Sequence, residues 1–281
     1  MNAVSKPAPA RPEPRPALPW RRLGEGLSQV LQNLLIALIY AFLLAPIIVV
    51  VIVSFSESAY LVFPPKALSL RWYVAFFSDS DFVRALKNSL MVGATTALIS
   101  STLGILASIG LVKYKFRFRD LLNSLFLSPL TFPAIVLGIA MVVFYAKVKL
   151  SGTFWSLVCA HVVLTVPYVI RTVSASLYGF DNVLLEAAAN LGASPFTAFR
   201  RVMLPLIKAG VIAGAIFAFI ISFDELVVTL FIAGPRMTTL PIKIFNYIEY
   251  TSDPTVAAIS SILIVIMLLI GVFLPRNFVA A

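Results

Sequence analysis

Cysteine and histidine are nearly missing from this 281-residue chain, Cys159 and His161 being single representatives of their kinds. One cysteine excludes an internal disulfide, and one cysteine with one histidine cannot assemble a zinc or iron–sulfur ligand set. Charge is scarce too, at 12% of residues, and acidic charge scarcer still, with 12 Asp and Glu against 22 Lys and Arg. No G-x-x-x-x-G-K-[ST] loop occurs, so the chain has no phosphate cradle of that kind for a nucleotide. What fills it instead is apolar: 60% hydrophobic residues and a mean hydropathy of +0.98. A soluble domain carries about twice this share of charge, so the natural solvent of the chain is a bilayer.

Six apolar runs are long enough to cross as helices: Leu31–Phe55, Ser89–Val112, Leu122–Ala146, Thr153–Val173, Ala209–Ile232 and Val256–Leu274. The expectation is an all-α integral membrane protein with six transmembrane helices over residues 31–281. Residues 1–30 are read as a disordered cytoplasmic tail, because Met1–Arg22 is rich in Pro, Ala and Arg and buries little apolar surface. The first run is too long for a signal-peptide core and should remain as a span.

The basic residues choose the orientation. With the N-terminus inside, most of the 22 Lys and Arg fall on the cytoplasmic side, led by Lys113, Lys115, Arg117 and Arg119 on one short connector. Both termini are expected in the cytoplasm, and the net charge of +10 reads as a topology and lipid-headgroup signal, without a soluble module to present nucleic acid. On the outer side, Arg71–Phe77 reads as an amphipathic segment at the membrane interface, an anchor or part of a docking surface.

Between the fourth and fifth spans, residues 181–205 read DNVLLEAAANLGASPFTAFRRVMLP. Val183, Leu184, Ala187, Ala188 and Leu191 fall at helical spacing. Gly192 suits a backbone turn of positive φ, Ser194 a helix cap, and Pro195 the first position of a second helix. A cytoplasmic helix–turn–helix follows.

Glu186-Ala187-Ala188, Gly192 and Leu204-Pro205 resemble the EAA loop of binding-protein-dependent ABC importer permeases, with Val202 in place of the usual Ile. Ser222–Val228, Gly234-Pro235 and Thr238–Pro241 resemble the spermidine/putrescine branch of that family. The resemblance implies a type I importer permease fold in the bacterial inner membrane, with Glu186, Ala187, Ala188, Gly192, Leu204 and Pro205 coupling it to an ATPase. It implies as partners a second permease subunit, two cytoplasmic ATPase subunits that hold ATP and Mg, and a periplasmic binding protein. This chain itself is expected to bind no cofactor and to catalyse no reaction.

Acidic groups within a span are costly, about 2.5–3.5 kcal/mol for Asp at mid-helix, and so face a cavity or a partner. Asp224 and Glu225 in the fifth span are therefore candidates for meeting a cationic solute such as a polyamine, or for pairing with a partner subunit. His161, Thr165, Tyr168 and Thr172 share one face of the fourth span, with Tyr168 suited to cation–π contact and His161 to either cargo or an internal hydrogen bond. Pro129 and Pro133 should kink or unwind the third span. Gly93, Ala97, Gly104 and Ala107 favour close helix packing in the second. Competing readings are an importer of another small organic solute, a proton-coupled carrier and an intramembrane acid–base enzyme. The last lacks a convincing nucleophile, and the carrier lacks a visible inverted repeat.

Overall fold

The computed structural model describes residues 19–251 and 253–273. Helices occupy all six expected positions. The first, α1 (Pro19–Ser54), begins twelve residues before the expected Leu31, so residues 19–30 of the expected disordered tail are helical; residues 1–18 lie outside the described region. The outer loop contains α2 (Arg71–Ser78), and α3 (Ser80–Lys113) follows at once. Helix α3 starts nine residues before the expected Ser89. Hydropathy stops at Lys87, Arg84 and Asp81, but the Asp79 carboxylate caps the Asp81 and Phe82 amides at 2.7 and 3.2 Å, and Phe82 and Ala85 are buried.

The third span is broken. Helix α4 (Arg119–Leu127) runs through a tight turn at Ser128–Leu130 and gives way to α5 (Ala134–Lys147), the two arms meeting at 102°. Pro133 has no amide to donate, so the ladder stops there, while Thr131 closes the turn through its amide and hydroxyl, both donating to the Ser128 carbonyl at 2.9 and 2.8 Å. The kink expected from Pro129 and Pro133 is present. Helix α6 (Phe154–Tyr178) stays continuous through Pro167 and extends past the expected Val173. After it come α7 (Val183–Asn190), α8 (Pro195–Ala198), α9 (Leu204–Leu206), α10 (Lys208–Asp224), α11 (Val227–Ile232), α12 (Leu240–Tyr250) and α13 (Thr255–Phe273). Among the described residues, three helices are long and apolar enough to cross alone; each bent pair adds one, giving up to five, and Thr255–Leu269 is a shorter apolar helix at the sixth position.

Helices α3, α6 and α10 pack on one another and form the interior. Glycine lets them approach: a Cβ on Gly104 would lie 2.5 Å from Val169 Cγ1, and one on Gly214 would lie 3.2 Å from the Val169 Cα. Several polar groups inside this trio are paired, Ser100 with Thr165 at 2.7 Å and Ser108 donating to the Ile170 carbonyl at 3.2 Å, while the buried hydroxyls of Thr96 and Ser101 on α3 meet no partner among the described residues. Helix α1 lies outside the trio against α13, with Leu34 and Phe42 on its outward surface.

The Arg71–Phe77 segment is docked as well as amphipathic. Trp72 and Phe76 of α2 are buried, Trp72 Nε1 donates to the Ser56 carbonyl at 2.8 Å, and the Tyr73 hydroxyl sits 2.7 Å from both Ser54 and Ser261. This segment is therefore pinned to α1 and α13, with only Val74 and Phe77 turned outward as large apolar groups. Nearby, Asn88 Nδ2 donates to the Thr238 carbonyl at 2.9 Å and Ser89 Oγ accepts from the Leu240 amide at 2.8 Å, which ties the segment before α12 to α3. The α5–α6 and α11–α12 links touch through facing glycines: a Cβ on Gly234 would stand 2.6 Å from the Gly152 carbonyl oxygen and 2.9 Å from its Cα.

Candidate coupling hairpin and candidate pathway site

The hairpin on residues 181–206 is built by local chemistry. Helix α7 ends at Asn190, Gly192 takes φ +82°, and Ser194 Oγ accepts the Thr197 amide at 3.3 Å with Pro195 at the head of α8. A wider π-type turn at Phe199–Met203 then leads into α9, and the hairpin arm meets α10 at 76° across Ile207. Ile207 and Met203 are buried with Val173 and Leu177, and Leu185 and Phe199 pack against the same cluster, so the hairpin is rooted in the base of α6.

Its other surface is bare. Leu191 is 89% exposed, Phe196 70% and Val183 61%, and Glu186 and Ala187 are exposed beside them. Glu186, Ala187 and Gly192 thus face outward with Ala188 half-buried behind them, whereas the root is the buried Met203 and Ile207, between which Leu204 is half-buried and Pro205 exposed. Phe196 was absent from the sequence-derived set although its place next to the Pro195 helix start signalled it; the π-type turn left no composition signal at all.

The second site lies where α10 stops. The fifth span was expected to run unbroken from Ala209 to Ile232, but it is interrupted after Asp224, and Glu225 is extended at φ −69°, ψ 111°. Glu225 Oε1 accepts the Val228 amide at 2.8 Å, capping α11, and its carbonyl accepts the Thr229 hydroxyl at 2.8 Å. His161 reaches in from α6: Nδ1 lies 2.7 Å from Ser222 Oγ and Nε2 2.9 Å from Thr229 Oγ1. Thr229 spends its single proton on a carbonyl, which can only accept. Nε2 therefore carries the ring proton toward Thr229, and Nδ1 accepts from Ser222.

These bonds separate four residues that the sequence grouped. His161 is 1% exposed with both nitrogens engaged inside the chain, so it braces the α10–α11 break and offers no free nitrogen to a passing solute. Glu225 is half-buried and works as a helix cap. Asp224 is exposed, and among the described residues nothing pairs with its carboxylate. Tyr168 is half-buried, seven residues along α6 from His161 and hence about 10 Å from the break, so it does not join the same cluster.

The chain is thus a helical membrane protein with a rooted hairpin that turns an exposed surface outward and with two interrupted spans. Residues 100–278 match the family of binding-protein-dependent transport system inner membrane components, and the chain belongs to that family. It is a permease subunit of the ABC importer class, a multi-pass protein of the bacterial inner membrane, and a transport component as opposed to an enzyme. Within the family it is similar to the spermidine/putrescine transport system permease protein PotC. The Escherichia coli (strain K12) protein is 32% identical over 242 residues, covering 86% of this chain and 91% of the relative. The Haemophilus influenzae protein is 34% identical over 238 residues, covering 85% and 92%. Among solved structures, a chain of a bacterial ABC transporter involved in the import of the acidic polysaccharide alginate superimposes with a TM-score of 0.72 at 15% identity, over 89% of this chain and 98% of that one. The last likeness concerns the fold alone.

Proposed function

We propose that this chain is one permease of a polyamine importer, carrying putrescine or spermidine inward by alternating access. Similarity to spermidine/putrescine permeases over 86% of the chain is the observation that carries the reading. Asp224 supplies a chemistry for it: an exposed carboxylate without an internal partner, at the end of a membrane helix, matches an ammonium that has shed water. Tyr168 offers an aromatic face deeper along α6.

Energy enters through the hairpin. The exposed Glu186, Ala187, Leu191 and Phe196 form a surface that seats in a groove of a cytoplasmic ATPase, and the Gly192 turn with the buried root at Met203 and Ile207 passes its displacement to α6 and α10. The full assembly in this reading has two ATPase subunits holding ATP and Mg, a second and different permease, and a periplasmic binding protein. Both termini lie in the cytoplasm in this reading, which the basic connector at Lys113–Arg119 supports. Closing of the ATPase pair on ATP turns the pathway outward, and hydrolysis restores the inward state.

Uptake of radiolabelled putrescine and spermidine by the assembled transporter tests the proposal. Asp224→Asn should lower uptake about tenfold, the cost of losing one charge-assisted contact. Glu225→Gln, which keeps a carbonyl oxygen for the Val228 amide, should stay near wild type. Normal polyamine uptake by Asp224→Asn, or no polyamine uptake by the intact assembly, refutes the assignment.

A further inference from the structure

The break in the third span leaves a long groove between α3, α4 and α6 that the transport reading does not use. Its two halves differ in chemistry. One cavity of about 380 Å³ gathers the polar side chains of Arg119, Asp120, Asn123, Arg171 and Ser174 among apolar neighbours such as Leu111. The other, about 440 Å³, is apolar, lined by Leu103, Ala107, Phe126, Pro129 and Val166. They join end to end. On α3 the apolar Ala107 lies one turn from Leu111 of the polar half, and on α6 Val166 lies one turn from Ile170. The α6 wall, Val162, Val166, Ile170, Ser174 and Tyr178 at steps of four, passes from apolar to polar over about 24 Å. That length is close to one bilayer leaflet with its headgroups, about 20–22 Å.

We propose that this groove is a binding site for one anionic phospholipid of the phosphatidylglycerol class. The phosphate lies between the guanidinium groups of Arg119 and Arg171, and an acyl chain fills the crevice beside Pro129. Arg119 is pre-aimed, since its Nε donates to the Leu111 carbonyl at 2.5 Å and leaves the terminal amino groups for another acceptor. Arg171 meets no carboxylate among the described residues. Lys113, Lys115 and Arg117 stand on the same connector, so the polar end is strongly positive overall despite Asp120. Asp120 and Asn123 match the hydroxyl donors of a glycerol headgroup, which a choline headgroup lacks. In the orientation proposed above the charged end of the groove lies in the cytoplasmic leaflet; the site itself does not depend on that orientation.

The test uses the full transporter, purified with its partner subunits in nanodiscs of mixed phosphatidylglycerol and phosphatidylcholine, with retained lipid read by native mass spectrometry. Wild type should retain phosphatidylglycerol preferentially. The double variant Arg119→Gln/Arg171→Gln should lose about tenfold of that retention, and Ala107→Trp, which fills the apolar half without altering charge, should lose a similar share. Arg171→Lys should keep most of it. Equal retention of the two lipids by wild type, undiminished retention by both disruptive variants, or displacement of the lipid by inorganic phosphate would each overturn the site. Lipid retention is read without any transport step, so this proposal and the polyamine reading fail independently.

Discussion

The third and fifth membrane segments are both interrupted, but by different means. In the third, the interruption lies in the covalent chain: Pro133 withholds an amide, and Thr131 tidies the turn with bonds to Ser128, three residues away. In the fifth, nothing in the backbone forbids a continuous helix. The break after Asp224 is held by side chains, Glu225 capping α11 from within the segment and His161 bridging Ser222 and Thr229 from 61 and 68 residues away. A break written in proline is permanent. A break made of hydrogen bonds exists only while its partners stay in register, which makes the fifth segment the one suited to change shape during transport.

The sharpest way to break this contrast is His161→Leu. It removes the partner of two buried hydroxyls, and the expected cost is about 2–4 kcal/mol, read as a lowered thermal midpoint of the purified complex. Glu225→Ala should cost about 1 kcal/mol through loss of the α11 cap, with faster hydrogen exchange at the Val228 amide. Thr131→Val, at the proline-made break, should cost less than about 1 kcal/mol, because its hydroxyl is exposed and Pro133 enforces the turn without it. A larger loss in Thr131→Val than in His161→Leu would reverse the argument.

The same contrast explains what could be read from the residues alone. Pro129 and Pro133 announced the third-span kink, and Gly192, Ser194 and Pro195 announced the hairpin, because each acts on its own backbone. Hydropathy found all six apolar segments, being a sum over neighbours. It missed the start of α3, where an Asp79 cap and the buried Phe82 outweigh three nearby charges, and it missed the break at Glu225. His161 was seen as polar and interior, but its partners were invisible, since only the packing of α6 on α10 and α11 brings them to it. Asp224 and Glu225, adjacent and chemically alike, were paired by sequence and are separated by structure into a free carboxylate and a cap.

The resemblance to EAA-loop permeases depended on residues that face outward. Glu186, Ala187 and Gly192 make few demands on the interior, and Leu191 and Phe196 stand exposed beside them. Core glycines such as Gly104, by contrast, are read as packing from their neighbours and say nothing of partners.

The contact between Gly152 and Gly234 has a mechanical consequence. A methyl group on Gly234 meets main-chain atoms of Gly152, and one on Gly152 comes within 3.2 Å of the Gly234 Cα, so no rotamer change can relieve either intrusion and the backbone itself must yield. Gly152 also holds φ +69°, which a side chain would strain. The two links touch main chain to main chain like a clasp, so a displacement of the α5–α6 corner presses directly on the α11–α12 corner with no side chain between to absorb it.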